Sequence, residues 1–330
     1  MRHDIKHYDT TDVNFKAIEA ARERIYPHMQ PSPLIFSPLL SERLKAQIFL
    51  KHENHNPTGS FKVRGGLNLA GQLSRGERKH GIVSATRGNH GQSLAFASRL
   101  YRIECTLFVP KGNNPEKNQA MRAFGARLIE TGSDFDEARL CAEEMARRDR
   151  TRYVHVAEPE LLNGVGTYGL EIFHALDADV VIIPVGGGSG VCGTLTVRNK
   201  LRPRTRVIAV QSKNAPAVYL SWKEKKIRTT PNCQTIADGL ATRVPFELPF
   251  EIMQRYLDDF VLVSDQDILR SIAVLLETTH NLVEGAGAAP LAAAESLGGR
   301  LRNKKVVLVL SGANIDKSTL LRALKKNTQS

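Results

Sequence analysis

The sequence predicts an α/β protein with two open, mainly parallel twisted sheets and helices on both faces of each, and three observations carry this. Short β-branched runs alternate with longer stretches whose apolar residues recur at i, i+3 and i+4. The runs at 181–185, 206–210 and 306–310 are almost wholly apolar, as strands covered on both faces must be. The strands between about Gly81 and Val156 form a compact group inside the longer series. The chain should therefore divide into a large unit, 1–75 and 154–330, and a small inserted α/β unit, 76–153.

In chain order the expected strands are QIFLK, GIVSA, CTLFVP, ARLIE, YVHV, DVVIIPV, RVIAV, FVLV and KVVLVL. Each is short and rich in Val, Ile, Leu or Phe, and an amphipathic helical pattern separates most of them from the next. At 330 residues the chain can bury a sizeable core without staples. Its four cysteines, Cys105, Cys141, Cys192 and Cys233, form no C-x-x-C pair, so neither a disulfide framework nor a zinc knuckle is expected. A reduced, cytoplasmic setting fits. The start, MRHDIKHYDT, lacks the apolar stretch of a leader, and runs such as ADVVIIPV are far shorter than the roughly 18 residues of a membrane span. A soluble, unprocessed protein with no membrane partner is the expectation.

The net charge of +12 raises the question of nucleic acid. RRDRTR, RPRTR, KEKK and RNKK are scattered, and no aromatic residues interleave them as a stacking platform requires. The charge reads instead as a solvated basic surface that attracts small anions, with no nucleic-acid partner.

Four stretches carry chemistry. PVGGGSGVCGT, residues 184–194, places Gly188, Gly190 and Gly193 at the G-x-G-x-x-G spacing after a strand and before a helix, where free N–H groups meet a phosphate. A dinucleotide site would need an acid at the end of the next strand, and RVIAV is followed by Gln211, Ser212 and Lys213. A cradle for a single phosphate remains, beside the plainer reading of a glycine turn that packs a helix on a strand. In HENHNPTGSFKVRGG, Lys62 lies between Phe61 and Val63 after PTGS, which resembles a helix cap. Apolar neighbours can desolvate a lysine and make it nucleophilic, although most helical lysines are solvated. SATRGNHGQS is a strand end and a polar turn holding Asn89 and His90; it reads either as an anion site or as a capped turn with a solvated histidine. In VVLVLSGANIDKS, Ser311 leaves the end of an apolar strand, where such sheets place ligands, or is simply a turn residue.

Together SFKVRG, GNHGQS, PVGGGSG, ADGLA, VEGAGA and SGAN, in this order, resemble the fold-type II pyridoxal-phosphate enzymes, the serine/threonine dehydratase and serine racemase group. The resemblance runs from about Ile18 to Ile315. It implies a tryptophan synthase β-like architecture with pyridoxal 5'-phosphate between the domains. It also implies that Lys62 is the catalytic residue, bonded to the cofactor as a Schiff base, with Phe61 packed beside the ring. Asn89 meets the ring hydroxyl, Gly186, Gly187, Gly188, Ser189 and Gly190 hold the phosphate, and Ser311 faces the pyridine nitrogen. Glu284 matches a family carboxylate near the cofactor, and a helix N-cap role explains it nearly as well. Ser84, Thr86, Arg87, Asn89 and His90 would hold the substrate. The implied activity is a dehydratase that turns a 3-hydroxy amino acid such as L-threonine or L-serine into a 2-oxo acid and ammonia, as in amino-acid catabolism. A dehydratase for 3-hydroxyaspartate or phenylserine, or an amino-acid racemase of the same fold, is the alternative. Relatives imply a homodimer.

The sequence departs from that family in three places. Racemases of the group carry Ser before GNH, and dehydratases commonly Ala or Ser; here it is Arg87, a poor proton donor or acceptor at neutral pH. Racemisation is therefore disfavoured, and Arg87 could reach a carboxylate of the substrate or face outward. Gln211 and Ala217 stand where cation-activated members carry acids, so no metal is expected, with Lys213 a candidate internal charge. Only a helical tail follows SGANID, so feedback control by isoleucine is not expected.

Overall fold

The computed structural model describes residues 8–327. Ten strands alternate with helices: β1 (Leu34–Phe36), β2 (Gln47–Lys51), β3 (Ile82–Ala85), β4 (Cys105–Val109), β5 (Arg127–Glu130), β6 (Arg152–Tyr153), β7 (Val180–Pro184), β8 (Arg206–Ser212), β9 (Asp259–Val263) and β10 (Lys305–Val309). They form a six-stranded sheet in the order β1-β2-β10-β7-β8-β9 and a four-stranded sheet in the order β5-β4-β3-β6. Every pair is parallel except β1 with β2.

The apolar runs are explained by what lies on each face. Along β7 and β10, Val181, Ile183, Val307 and Val309 enter one hydrophobic cluster, while Val180, Ile182, Val306 and Leu308 enter another on the opposite face. The first cluster continues beneath the small sheet through Ile82, Cys105, Leu107 and Val109, so one core joins both sheets. Val83, Ala85 and Phe108 cover the other face of the small sheet with Ala138 and Ala142 of the helix Phe135–Asp149.

Two features escape sequence reasoning. Strand β1 is three residues long and sits at the sheet edge with Ile35 and Phe36 exposed, too short to show a period. YVHV contributes only Tyr153 to β6, because His155 and Glu158 already belong to the turn that leads into the helix Pro159–Ala175.

The strand order positions the site. With β2, β10 and β7 side by side, the segments leaving their carboxyl ends must meet at one edge of the sheet. The turn after β3 arrives at the same place from the small sheet.

Candidate active site

After β2 the chain makes a tight turn in which the Gly59 N–H donates to Asn56 O (2.7 Å), with Gly59 in the left-handed region at φ +64°. Ser60 then bridges to Gly312, and the Phe61 N–H donates to Ser311 O (3.0 Å). These contacts lock the chain before Lys62 to the chain after β10. The helix runs Lys62–Gln72, and Phe61 at its N-cap makes no side-chain cap. PTGS is thus not the cap but the turn before it: pairing with 311–313 delays the helix.

Behind Lys62 is a buried ion network. Arg64 Nε and Nη2 donate to the two Glu53 carboxylate oxygens (2.7 and 2.8 Å), and Nη1 donates to Glu171 (2.6 Å), which also pairs with Lys51. Arg64 and Glu53 are fully buried, so the first helical turn is clamped by charges with no access to water.

Lys62 has no carboxylate partner among the described residues. Its Nζ donates to Ser189 Oγ (2.8 Å) and lies 5.1 Å from the centre of the Phe61 ring. Desolvation pulls its pKa down to about 8. Ser189 opens the helix Ser189–Leu201, whose N-cap Gly188 is left-handed at φ +88°. Among the described residues no hydrogen bond engages the N–H groups of Gly186, Gly187, Gly188, Ser189 and Gly190, so they are free for an anion at a helix start. The backbone is close: a Cβ on Gly186 would lie 2.1 Å from Gly239 O. Gly193, the last glycine of the fingerprint, serves packing instead, since a Cβ there would lie 2.6 Å from Gly166 Cα.

The opposite wall is a polar chain. Asn314 Nδ2 donates to Asn89 Oδ1 (2.7 Å), and Asn89 Nδ2 donates to Glu284 Oε1 (2.8 Å). Glu284 precedes the helix Gly285–Leu297 but makes no side-chain cap; its carboxyl is spent on Asn89. Burial raises its pKa to about 7 against the pull of Lys117. Ser311 is buried at the cavity wall, and its hydroxyl has no hydrogen-bond partner among the described residues.

In the turn after β3, Thr86 Oγ1 accepts the N–H groups of Gly88 and Gly91 (3.0 Å each), capping the helix Asn89–Leu100. Asn89 and His90 therefore stand in its first turn rather than in a loop. His90 is buried, not solvated. Desolvation, and then the nearby Lys62, push its pKa down to about 3, so the ring is neutral. The Ser84 hydroxyl donates to Val154 O (2.7 Å), so its Oγ accepts from His90 Nε2 at 3.1 Å. Ser84 is consequently turned into the sheet and does not reach the cavity that lies against Thr86, Arg87, Asn89 and His90. Arg87 is exposed on the wall, without a hydrogen bond or ion pair among the described residues.

These groups enclose a cavity of about 1440 Å³. Apart from Ser84, all the residues that the resemblance assigns to cofactor or substrate lie on it, whereas Gly193 and Lys213 do not. Sequence reasoning missed Lys117 and Asp238, an ion pair (2.5 Å) across the cavity, and Asn314, which orients Asn89. Asp238 and Asn314 lie within ADGLA and SGAN, but nothing local marks Lys117. Gln211 is buried, its Oε1 accepting the Tyr219 N–H (3.1 Å), while Lys213 is exposed. Among the described residues no cluster of three His, Cys, Asp or Glu could hold a metal, and no helix is long and apolar enough to cross a membrane.

Residues 25–312 match the family model described as pyridoxal-phosphate dependent enzyme. An L-threonine ammonia-lyase of Thermotoga maritima is 35% identical over 316 residues, covering 95% of this chain and 79% of that protein. An L-threonine dehydratase, catabolic TdcB, of Staphylococcus aureus is 36% identical over 312 residues, covering 92% of this chain and 90% of the relative. Among solved structures, the processed form of threonine deaminase isoform 2 from Solanum lycopersicum superposes with a TM-score of 0.89 at 31% identity, covering 96% of this chain and 94% of that one. Maize serine racemase also superposes with a TM-score of 0.89, at 25% identity, covering 96% of this chain and 98% of the other.

Proposed function

The chain belongs to the family of pyridoxal-phosphate dependent enzymes, and from that premise we propose that it is an ammonia-lyase converting a 3-hydroxy amino acid such as L-threonine or L-serine to a 2-oxo acid and ammonia. The observation that carries this reading is the Lys62 amine, desolvated, without a carboxylate partner among the described residues and 2.8 Å from the first residue of a glycine-framed helix. The residues fit the cofactor. Free N–H groups at 186–190 suit its phosphate, Asn89 its ring hydroxyl, and the unengaged Ser311 hydroxyl its pyridine nitrogen.

When bound, pyridoxal phosphate supplies an electron sink for negative charge left at the substrate Cα. The rest is the work of the chain. Lys62 Nζ, neutral in a useful fraction at pH 7, takes the Cα proton and holds it beside the same carbon. The Cβ–O bond breaks, the hydroxyl leaves as water with the proton that Lys62 took from Cα, and water then cleaves the C–N bond, so the net products are one 2-oxo acid and one ammonia. The free N–H groups of Asn89 and His90, with the Thr86 hydroxyl hydrogen, hold the substrate carboxylate. His90 contributes through its backbone, because its ring is neutral and its Nε2–H is given to Ser84. A guanidinium is a poor proton donor or acceptor at neutral pH, so Arg87 does not serve the other face of Cα, which favours elimination over inversion.

Ser311, a neutral partner, leaves the ring less electron-withdrawing than an acid would, which favours elimination over transamination. Replacing Ser311 with Asp should shift the side-product partition. Residues 76–153 acting as a separate small unit, a cytoplasmic setting and a homodimer belong to the same proposal. Exposed Ile35 and Phe36 on the edge strand of the large sheet, with exposed Leu39 in the helix that follows, support the dimer.

The test measures 2-oxo acid release from L-threonine and L-serine against inversion of the stereocentre, in wild type and in Lys62→Ala. Release well above inversion, lost in Lys62→Ala together with the cofactor's lysine-bound visible absorption, is expected. Inversion faster than release overturns the reading.

A further inference from the structure

We propose that Arg87 binds a second carboxylate on the substrate side chain, so that the preferred substrate is an acidic 3-hydroxy amino acid, of which 3-hydroxyaspartate is the smallest. This rests on the lyase reading and narrows its substrate class.

The charges on the cavity wall set Arg87 apart. Arg139 is committed to Glu143 (2.5 Å), Arg152 to Glu77 and Glu158 (2.8 Å each), Arg243 to Asp136, and Lys117 to Asp238 (2.5 Å). Arg147 has no carboxylate, but its Nε donates to Glu143 O (3.3 Å). Arg87 alone among these guanidinium groups has neither a hydrogen bond nor an ion pair among the described residues; Asp134, on the same wall, feels its charge without pairing with it. It also stands in the right place. It is the residue between Thr86 and Gly88, in the turn whose free N–H groups suit the α-carboxylate, so two anion-binding elements of different kinds adjoin. A guanidinium presents a planar fork that matches a carboxylate.

A second cavity, of about 770 Å³, shares Arg87 and Asp238 with the first. On its wall Lys111 and Lys317 are exposed without an ion pair among the described residues; its acids are Asp238, paired with Lys117, Asp316, which accepts from the Ser318 and Thr319 hydroxyls, and the exposed Glu116. A neutral side chain leaves Arg87 solvated at no penalty, so threonine is accepted without being preferred. The rival occupant is an aromatic side chain, since Tyr8, Phe135, Tyr153 and Phe246 also line the main cavity.

The experiment compares kcat/KM of the holoenzyme for 3-hydroxyaspartate, threonine, serine and phenylserine, in wild type, Arg87→Ala and Arg87→Lys. A hydrogen-bonded charge pair corresponds to a preference of about 10- to 100-fold for 3-hydroxyaspartate over threonine, lost in Arg87→Ala and partly kept in Arg87→Lys. Preference for threonine, serine or phenylserine in the wild type overturns the proposal. So does an equal loss for both substrates in Arg87→Ala, which would put Arg87 on the α-carboxylate. If none of the four yields a 2-oxo acid, the lyase reading itself fails, and binding decides Arg87 separately. Titration calorimetry on the wild-type holoenzyme should then show succinate binding about tenfold more tightly than butyrate, a difference absent in Arg87→Ala; equal affinities in the wild type overturn the assignment.

Discussion

Lys62 offers the sharpest physical test, because one number follows from its surroundings. With its pKa pulled down to about 8, the neutral fraction at pH 7 is about 9%, against about 0.03% for a lysine at 10.5, a gain of about 300-fold in reactive amine. The cause is desolvation with no nearby carboxylate to offset it, so supplying one should reverse it. Ser189→Asp places an acid where Nζ now meets a hydroxyl at 2.8 Å, and should raise the pKa by about 1–2 units and slow amine reactivity at pH 7 by about 10- to 100-fold. Competitive acetylation of the cofactor-free protein from pH 6 to pH 10 reads this directly, with exposed Lys79 and Lys226 as internal references in the same digest. Labelling of wild-type Lys62 should level off above about pH 8. A tenfold rise per pH unit continuing past about pH 9, or no change in Ser189→Asp, would refute the desolvation argument.

The remaining predictions concern stability. A lysine whose folded pKa lies below its unfolded value costs stability below about pH 8, and the cost fades as pH rises toward 10.5, because the unfolded chain binds the extra proton in that window. Lys62→Met should therefore raise the melting temperature of the cofactor-free protein at pH 7, with the gain shrinking by pH 10; a lower melting temperature at pH 7 would count against it. Glu284 has the opposite sign: its folded pKa is raised from 4.5 to about 7, so stability falls as pH rises through that window. Glu284→Gln should be more stable than wild type by up to about 3 kcal/mol at pH 8, measured by urea unfolding, with the advantage gone near pH 4. Arg64→Met strands Glu53 in the core and should cost about 3–5 kcal/mol, with Glu53→Gln restoring part of it; a near-neutral Arg64→Met would show that the network is not under charge constraint.

Much of the architecture was legible in local pattern. The apolar runs of β7, β8 and β10 read as strands covered on both faces, and PVGGGSG after such a strand as a glycine turn at a helix start, for a phosphate or for packing. Lys62, Asn89 and Ser311 were legible as polar residues leaving ordered segments, and the resemblance of the ordered motifs to a known family implied one cofactor. What local pattern could not express is pairing. β1 depends on an edge supplied by β2, the helix at Lys62 starts late because residues 59–61 are held by 311–313, and Ser84 turns inward because Val154 offers its carbonyl. Lys117 meets Asp238 across 121 positions of sequence. Hydrophobic periodicity by itself determined which face of each element is buried, since burial depends on neighbours three or four residues away. The order β2-β10-β7, and with it the meeting of Lys62, Ser189 and Ser311, was decided only by the tertiary structure, because strand neighbours are chosen by contacts far apart in the chain.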